Sequence, residues 1–162
     1  MTTQLTLIAA MDDSRLIGRG GQLPWRLPDD LKRFKTLTLD KTVLMGRKTW
    51  DSLGRPLPQR ENWVLTRDRS FAPAGCRVFH DLAQVLQAHT RGELMVIGGA
   101  EIYRQTMPMA GCLQFTHVHA SLAGDAWFPE FDLASWVEIS REERSADERH
   151  AHDFSFVTYR RR

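Results

Sequence analysis

Short apolar runs alternate with amphipathic helical stretches along most of this chain, and this alternation limits the folds open to it. The runs at residues 43–45 and 94–97 are apolar at every position. A strand without polar positions must be covered on both faces, as in a parallel sheet with helices on either side. The pattern therefore predicts an α/β fold.

The last part of the chain departs from this alternation. After Gly111 the sequence predicts strands with no good helices between them. The predicted strands of the whole chain are residues 5–11, 42–45, 63–66, 76–79, 94–97, 113–120, 136–142 and 154–161. The predicted helices are residues 28–38, 48–53, 81–89 and 100–107. We expect a single domain, residues 1–162, in which a central, mostly parallel eight-stranded sheet ends in an antiparallel C-terminal strand and is flanked by about four helices.

Composition excludes several classes of protein. With 162 residues, 42% of them hydrophobic, the chain can bury one sizeable core, and its net charge of +2 does not favour binding to nucleic acid. Only two cysteines occur, Cys76 and Cys112, and the sequence has no short-spaced Cys/His cluster, so we expect neither structural zinc nor a disulfide scaffold. A bridge between the two is the alternative to the reducing, cytoplasmic location that we expect. No apolar stretch approaches the roughly 18 to 20 residues of a membrane span, and residues 1–5 lack the features of a signal peptide. We expect a monomer.

Asp30 is the residue that the helical pattern makes most interesting. Pro28 suits the first position of a helix, and the two acids that follow it lie in the first turn, where negative charge is favourable. At about 100° per residue, Asp30 lies on the flank of an apolar stripe formed by Leu27, Leu31, Phe34 and Thr38. Asp29 lies on the opposite side, which we expect to face solvent, together with Lys32, Arg33 and Thr36.

A carboxylate that faces apolar surface requires an explanation. Burial without a partner is costly and raises the pKa of Asp30, which suits proton transfer or the recognition of a cationic ligand. The alternative is an ordinary acid at a helix start, and this segment alone does not decide between the two interpretations.

Gly98 and Gly99 lie at the junction between a predicted strand and a predicted helix. Two glycines let the backbone approach a ligand closely, and the free N–H groups at a helix start suit a phosphate. Most glycine pairs are simple turns, and the third glycine of the Rossmann fingerprint is absent. The position of the pair at this junction nevertheless favours a phosphate site.

A second junction of this kind begins at Gly46. Residues 47–49 supply two cations and a hydroxyl where helical N–H groups are free. Thr66 and Arg67 end the next predicted strand and add a hydroxyl and a guanidinium beside it. Surface solvation is the alternative for each cation taken singly. Cations after two successive strand ends, beside a glycine turn, favour an anion site.

Two further features suit contact with a ligand. Residues 53–60 form a proline-rich loop, in which Arg60 could bind a carboxylate through two N–H groups. By itself this segment is only a rigid loop. Trp25, which precedes Asp30, is the one tryptophan of five that we place near a ligand, and we expect the other four in the core. The six histidines show no metal-ligand spacing.

Taken together, these segments resemble bacterial dihydrofolate reductase. The matching motifs occur in the family's order at residues 8–10, 17–18, 23–25, 27–31, 34–35, 45–50, 54–58, 60–62, 97–99, 102–103, 116–117 and 124–125. They extend nearly from one end of the chain to the other. The resemblance implies NADPH-dependent reduction of 7,8-dihydrofolate to 5,6,7,8-tetrahydrofolate, and binding of antifolates such as trimethoprim or methotrexate.

The resemblance also implies a role for each matching residue. Asp30 would bind the 2-amino group and N3 of the pterin and favour protonation at N5, with Thr116 and Trp25 completing the catalytic group. Arg60 would pair with the α-carboxylate of the glutamate tail. The implied substrate-binding residues are Ile8, Ala10, Asp30, Leu31, Phe34, Lys35, Leu53, Leu57, Arg60 and Thr116.

For the cofactor, the resemblance implies that Thr66 and Arg67 recognise the 2′-phosphate of NADPH. The implied cofactor-binding residues are Ala10, Ile17, Gly18, Leu23, Gly46, Arg47, Lys48, Thr49, Leu65, Thr66, Arg67, Ile97, Gly98, Gly99, Ala100, Glu101, Ile102 and Tyr103. Residues 11–24 would form a mobile lid that excludes water, held by Asp125 from a neighbouring loop.

Several positions depart from the commonest bacterial pattern, and two of them lie in the implied cofactor region. Ala100 replaces a third glycine, and Glu101 stands where some members carry a basic residue, which leaves Arg47 and Arg67 to supply most of the positive charge. The nearest rival interpretation is a related pterin or pyrimidine reductase, such as the reductase of riboflavin synthesis. Such an enzyme need not keep Asp30, Phe34 and Arg60 together. A nucleotide-binding module without catalysis is the other alternative, and the intact Asp30 helix disfavours it.

Overall fold

The computed structural model of the protein describes residues 4–162. Residues 1–3, on which part of the signal-peptide expectation depends, lie outside this range. The strands are β1 (Gln4–Met11), β2 (Leu16–Gly18), β3 (Thr42–Gly46), β4 (Glu61–Leu65), β5 (Arg77–Phe79), β6 (Glu93–Gly98), β7 (Cys112–Val118), β8 (Ala126–Trp127), β9 (Trp136–Arg144) and β10 (Phe154–Arg161). The α-helices are α1 (Pro28–Thr38), α2 (Arg47–Leu53), α3 (Leu82–Ala88) and α4 (Ala100–Thr106), and short 3₁₀ turns occur at Met107–Met109 and Leu133–Ser135.

Eight of these strands form one sheet in the order β5-β4-β3-β6-β1-β7-β10-β9. The five pairings among the first six strands of this order are parallel, and β10 runs antiparallel to both of its neighbours. The predicted α/β fold, with a mostly parallel sheet and an antiparallel C-terminal strand, is confirmed. The sequence did not predict β2 and β8, which pair as a separate two-stranded ribbon and are too short to show a hydrophobic period.

Apolar side chains on both faces of the sheet explain the fully apolar strands. Leu44 lies in the main core cluster, whereas its neighbours Val43 and Met45 lie in a second cluster on the other face. All three side chains are fully buried. Trp127 is an exception to the expected core tryptophans: it is 47% exposed, because β8 lies outside the main sheet.

The parallel arrangement brings several strand ends to one edge of the sheet. The carboxyl ends of β1, β3, β4 and β6 all lie there, and ligands of open α/β sheets bind at this edge. Gly46, Thr66 and Gly98 end or directly follow three of these strands. The first turn of α1 and the loop before it follow β1. Topology alone therefore gathers the residues that the sequence marked as candidates.

Asp12 fixes the segment that follows β1 and is almost fully buried, with 3% exposure. Its Oδ1 accepts hydrogen bonds from the N–H groups of Ser14 and Leu16, each at 2.9 Å, and from the Ser14 hydroxyl at 2.8 Å. Its Oδ2 accepts the N–H of Leu122 at 2.8 Å, from the loop between β7 and β8. No local pattern predicts this role of Asp12, because Leu122 lies 110 residues away.

A second contact joins the same two segments nearer the tip of the lid, residues 11–24. The carboxylate of Asp125 accepts the Gly20 N–H at 3.2 and 3.1 Å, and the N–H of Asp125 donates to the carbonyl of Gly18 at 3.1 Å. Asp125 therefore lies where the resemblance implied, against the lid from the neighbouring loop.

We predict that Asp12→Asn destabilises the protein in a pH-dependent way. Burial disfavours the charged form of Asp12, but its four hydrogen bonds outweigh that cost and lower the pKa of the carboxyl. An acid with a lowered folded-state pKa stabilises the fold above its unfolded pKa of about 3.9, and this contribution is lost as pH falls through the folded pKa. The variant should lose about 1 to 3 kcal/mol of unfolding free energy at pH 7, because one N–H donor would face the new amide.

Urea unfolding at pH 7 and at pH 3.5 measures the difference in unfolding free energy between the wild type and Asp12→Asn. This difference should be smaller at pH 3.5. Asp13→Asn is the matched control, since Asp13 is exposed and should change little at either pH. A loss for Asp12→Asn that is equal at both pH values would contradict the prediction.

Candidate active site

Asp30 is held against β7 by a short hydrogen bond. The hydroxyl of Thr116, a residue with 2% exposure, donates to Asp30 Oδ1 at 2.5 Å. Burial raises the pKa of Asp30, and the hydrogen bond from Thr116 and the positive charge of Arg33 only partly oppose this effect. The result is a half-buried carboxyl that keeps its proton to a higher pH than an ordinary aspartate.

The opposite side of α1 faces solvent only in part. Lys32 and Thr36 are exposed as expected, whereas Asp29 and Arg33 are half-buried, which corrects the expectation for these two residues. Asp29 is half-buried, and its carboxylate pairs with Arg144 of β9 at 3.1 Å. Arg33 donates to Gln114 Oε1 at 2.8 Å and lies over the Phe156 ring at 4.7 Å. The helical wheel separated the two sides correctly, but it could not show that β9 and β10 cover part of the second one.

Apolar residues predicted to line a substrate cleft come together beside Asp30. One cluster on this face of the sheet contains the predicted residues Ile8, Phe34, Leu53 and Leu57. Ala10 is paired with Thr116 across β1 and β7. Leu31 and Lys35, on the same helix, are exposed, Leu31 by 55%. Both side chains are therefore open to contact from outside the protein.

Arg60 is fixed at the end of this cleft nearest the C-terminus of α1. Its Nε donates to the carbonyl of Pro58 at 2.9 Å, and one terminal nitrogen donates to the hydroxyl of Thr38 at 3.3 Å. Burial lowers the pKa of Arg60, although a guanidinium remains charged. The side chain is therefore held in one position before any ligand binds.

Asn62 holds the loop that carries Arg60, and sequence reasoning assigned it no role. Its carboxamide accepts the Leu57 N–H at 3.0 Å and donates to the carbonyls of Leu57 and Arg60, at 3.0 and 3.1 Å. The sequence feature that could have indicated this role is an amide followed only by apolar residues in the strand. Asn62 thereby sets the distance between the apolar wall at Leu57 and the charge of Arg60.

Trp25 presents an unused hydrogen-bond donor near these residues. Its side chain is 8% exposed and packs in a cluster that also contains Leu27 and Phe156, with Ala10 against it. Its Nε1 has no hydrogen-bond acceptor among residues 4–162. Because a buried indole N–H normally has a partner, this donor is available to a ligand.

The turn at Gly98 and Gly99 contacts the start of α2. Gly98 has φ +129°, a conformation that residues with side chains rarely adopt, and its peptide bond to Gly99 is cis. A Cβ at Gly98 would lie 3.3 Å from Thr49 Oγ1. A Cβ at Gly46 would lie 3.0 Å from Ile102 Cγ1. A Cβ at either glycine would press against a neighbouring side chain, so close packing at both strand ends requires glycine.

The predicted cations beside this turn differ in their availability. Arg47 is paired with Asp68 at 2.6 Å and with Asp51 at 3.6 Å. Lys48 and Arg67 are exposed and form no ion pair within residues 4–162. The structure therefore leaves Lys48 and Arg67 as the freer charges, whereas Arg47 would have to share its charge between a ligand and two carboxylates.

Glu101, the acidic departure from the common pattern, is partly neutralised. Arg104 pairs with it at 2.5 Å. The hydrogen bond from Arg104 lowers the pKa of Glu101, and the positive charge of Arg67 contributes to the same shift. Arg67 therefore lies near the start of α4, and the diglycine turn and the strand end at Thr66 belong to one region of the surface.

The remaining predicted cofactor residues occupy three kinds of environment. Leu65 and Ile102 are buried in the main core cluster, so only their backbone could reach a ligand. Tyr103 is also buried, and its hydroxyl donates to the carbonyl of Ile8 at 2.6 Å. Burial raises the pKa of Tyr103, which stays neutral. Four of the remaining residues are half-buried, namely Ile17, Gly18, Ile97 and Ala100, and Leu23 is exposed.

Residues 4–162 contain no helix that is both long and apolar enough to cross a membrane. They also contain no group of three or more His, Cys, Asp or Glu side chains placed to hold a metal ion. Cys76 and Cys112 are both free thiols.

Comparisons with known proteins agree with this geometry. A family model described as dihydrofolate reductase matches residues 4–161. The dihydrofolate reductase of Bacillus subtilis (strain 168) is 42% identical over 159 residues, which cover 98% of this chain and 95% of that protein. The dihydrofolate reductase of Neisseria gonorrhoeae is also 42% identical, over 96% of this chain and 97% of its own.

A solved structure is similar over almost the same length. It is dihydrofolate reductase from Enterococcus faecalis complexed with NADP(H) and RAB-propyl, with a TM-score of 0.93, 34% sequence identity, and coverage of 98% of this chain and 96% of that one. Both the sequence and the fold lead to the same conclusion: this chain belongs to the dihydrofolate reductase family.

Proposed function

We propose that the chain reduces 7,8-dihydrofolate to 5,6,7,8-tetrahydrofolate with NADPH, and that Asp30 is the ionisable residue at the reacting ring. Membership of the dihydrofolate reductase family supports the proposed reaction. The hydrogen bond from Thr116 to Asp30 is the observation that supports the role proposed for Asp30. A half-buried carboxyl, fixed by a neutral donor and placed next to an apolar cleft, fits the recognition of a flat heterocycle with N–H donors along one edge.

The donor pattern of the pterin edge matches Asp30. The 2-amino group and N3–H both donate hydrogen bonds, and a carboxylate accepts two in parallel. Thr116 takes one acceptor site on Oδ1 and fixes the plane of the carboxylate. The apolar side chains of Ile8, Phe34 and Leu53 would cover the ring faces and exclude water from this contact.

Reduction of the C6=N5 bond needs a hydride at C6 and a proton at N5. NADPH, when bound, supplies the hydride. Asp30 contacts the opposite edge of the ring, so it would act on N5 through the field of its negative charge, which is strong in low-dielectric surroundings and favours the protonated ring. The N–H of Trp25 would bind an acceptor on the ligand side, either the substrate or an ordered water.

The residues at the strand ends fit a dinucleotide phosphate. The turn at Gly98 and Gly99 has no side chains of its own to keep a ligand away from its backbone, and Thr49 lies directly beside it. We propose that this turn and the start of α4 hold the pyrophosphate, and that Lys48, Thr66 and Arg67 bind the adenosine 2′-phosphate. Positive charge at that point would favour NADPH over NADH.

Several further properties are proposed on physical grounds. The carboxylate of Asp30 would bind protonated diaminopyrimidines and pteridines, so antifolates such as trimethoprim and methotrexate should be inhibitors. The free thiols of Cys76 and Cys112 suit a cytoplasmic setting. One continuous eight-stranded sheet supports a single domain, and scattered exposed apolar residues support a monomer.

We predict that Asp30→Asn slows hydride transfer at pH 7 by about 100-fold or more, because the ring loses the negative charge that favours N5 protonation. NADPH should still bind. The assay follows NADPH oxidation after dihydrofolate is added, with NADH as the cofactor control and Asp29→Asn as the matched variant. Near-normal turnover by Asp30→Asn, together with a large loss of turnover in Asp29→Asn, would show that the role belongs to Asp29 and not to Asp30.

The same variant should be more stable than the wild type at high pH. An acid with a raised folded-state pKa stabilises the fold fully below its unfolded pKa, and this contribution is lost as pH rises through the folded pKa. The unfolding free energy of Asp30→Asn should therefore exceed that of the wild type at pH 8, and the gap should narrow towards pH 4. Denaturant unfolding across this range measures it, and a constant gap would count against a desolvated carboxylate.

Arg60→Ala should weaken binding of dihydrofolate by on the order of 2 to 5 kcal/mol, since a fixed guanidinium loses its carboxylate partner. A dihydropterin substrate without the glutamate tail should be much less affected. Arg55→Ala, a change at an exposed arginine of the same loop, is the control. Equal losses for both substrates would show that Arg60 does not bind the glutamate carboxylate.

A further inference from the structure

The N-terminus of α1 lacks a local cap. Leu27, at the N-cap position, has no side-chain oxygen, and Pro28 has no N–H group. The N–H of Asp30 donates to the carbonyl of Leu27 at 3.0 Å. The N–H of Asp29 is thus the one that requires an acceptor from outside the helix, because the first N–H groups of a helix have none within it.

That acceptor is His150, from the loop between β9 and β10. The N–H of Asp29 donates to His150 Nε2 at 3.1 Å, across 121 residues of sequence. His150 is 2% exposed and stacks on Phe154, with 5.1 Å between the ring centroids. Its Nδ1 lies 2.8 Å from Asp147 Oδ1. The imidazole is therefore fixed on three sides.

These contacts define the tautomer of His150. A backbone N–H can only donate, so Nε2 must be unprotonated, and Nδ1 carries the proton that it donates to Asp147. The hydrogen bond from His150, followed by one from the N–H of Arg149, lowers the pKa of Asp147, which is therefore a carboxylate at neutral pH. The carboxylate thus selects the tautomer that the helix needs.

A second contact reinforces the first. Arg144, at the end of β9, pairs with the carboxylate of Asp29 at 3.1 Å. The hairpin formed by β9 and β10 therefore holds Asp29 through both its backbone and its side chain. The next residue is Asp30, whose own side chain is bound to Thr116 of β7. Movement of Asp29 would move the carboxylate that faces the substrate.

We propose that His150 is a positioning residue for the reaction: its unprotonated Nε2 caps α1 and thereby sets the place of Asp30 relative to the substrate ring. This inference depends on the proposed role of Asp30. A misplacement of about 1 Å can slow a reaction on the order of 100-fold. A change at His150 should therefore affect the reaction with dihydrofolate, whereas binding of the cofactor, which depends on α2 and α4, should stay the same.

The central variants are His150→Phe and His150→Gln. Phenylalanine keeps a ring against Phe154 but has no acceptor, whereas the Gln carboxamide can place an oxygen near the position of Nε2. Val85→Ala is the control for lost stability, because Val85 is fully buried on α3. Asp147→Ala changes an exposed residue, releases the tautomer of His150, and should leave folding intact.

For each protein, kcat and KM with dihydrofolate, the Kd of NADPH and the melting temperature are measured. His150→Phe should lose roughly tenfold or more in kcat/KM for dihydrofolate, with the Kd of NADPH changed less than about twofold. His150→Gln should recover most of the loss, and Asp147→Ala should show a smaller loss in the same direction. Val85→Ala should lower the melting temperature without changing these kinetics.

Kinetics of His150→Phe that match those of Val85→Ala would overturn the proposal. An equal loss in kcat/KM for dihydrofolate and in the affinity for NADPH would also overturn it. If His150→Phe does not fold, unchanged kinetics in Asp147→Ala would overturn it. Wild-type protein that fails to oxidise NADPH with dihydrofolate would contradict the proposed function instead. Nitrogen-15 NMR of the His150 ring needs no turnover: the proposal requires an unprotonated Nε2, and a proton on that nitrogen contradicts it.

Discussion

The hydrogen bond between Thr116 and Asp30 is the contact on which the organisation of the site depends. A carboxylate half removed from water is costly, and a single neutral hydroxyl recovers only part of that cost. The surrounding fold must therefore hold Asp30 in place against its tendency to return to solvent. The helix beginning at Pro28 and the buried strand β7 do so from two directions. The energy stored in this arrangement is available for binding a ligand that presents N–H donors.

Parallel-sheet topology explains why the two ends of the site lie in register. The strand ends at Gly46, Thr66 and Gly98 meet at one edge, and β1 contributes Ile8 and Ala10 to the same region. The hydroxyl of Tyr103 joins the helix after the diglycine turn to the carbonyl of Ile8. A rigid scaffold thus sets the distance between the proposed phosphate region and the proposed heterocycle region, which hydride transfer requires to be constant.

Sequence reasoning succeeded where the physical signal is local. The apolar strands, the α1 boundaries and the two glycine turns each follow from neighbouring residues, and the α/β fold follows from their order. It failed where the partner is distant in sequence. The hydrogen bonds of Asp12 to Leu122 and of Asp29 to His150 span 110 and 121 residues, and no local pattern encodes them. Arg33 was expected in solvent for the same reason, since only the fold places Phe156 over it. The resemblance to a known family supplied the roles of Arg60 and Trp25, which their spacing alone left open.

Two carboxylate contacts of residues 11–24, the segment that the resemblance implies as a lid, differ greatly in strength. At its base, Asp12 is buried and binds four donors, whereas near the tip the exposed carboxylate of Asp125 shares a single N–H of Gly20. If residues 11–24 act as the lid that the resemblance implies, the tip would detach while the base stays folded, and opening would be a local event and not partial unfolding. Residence time of a ligand beneath the lid and thermal stability of the protein would then be governed by different residues. Substitution at position 125 could change how long product stays bound without changing the temperature at which the chain unfolds.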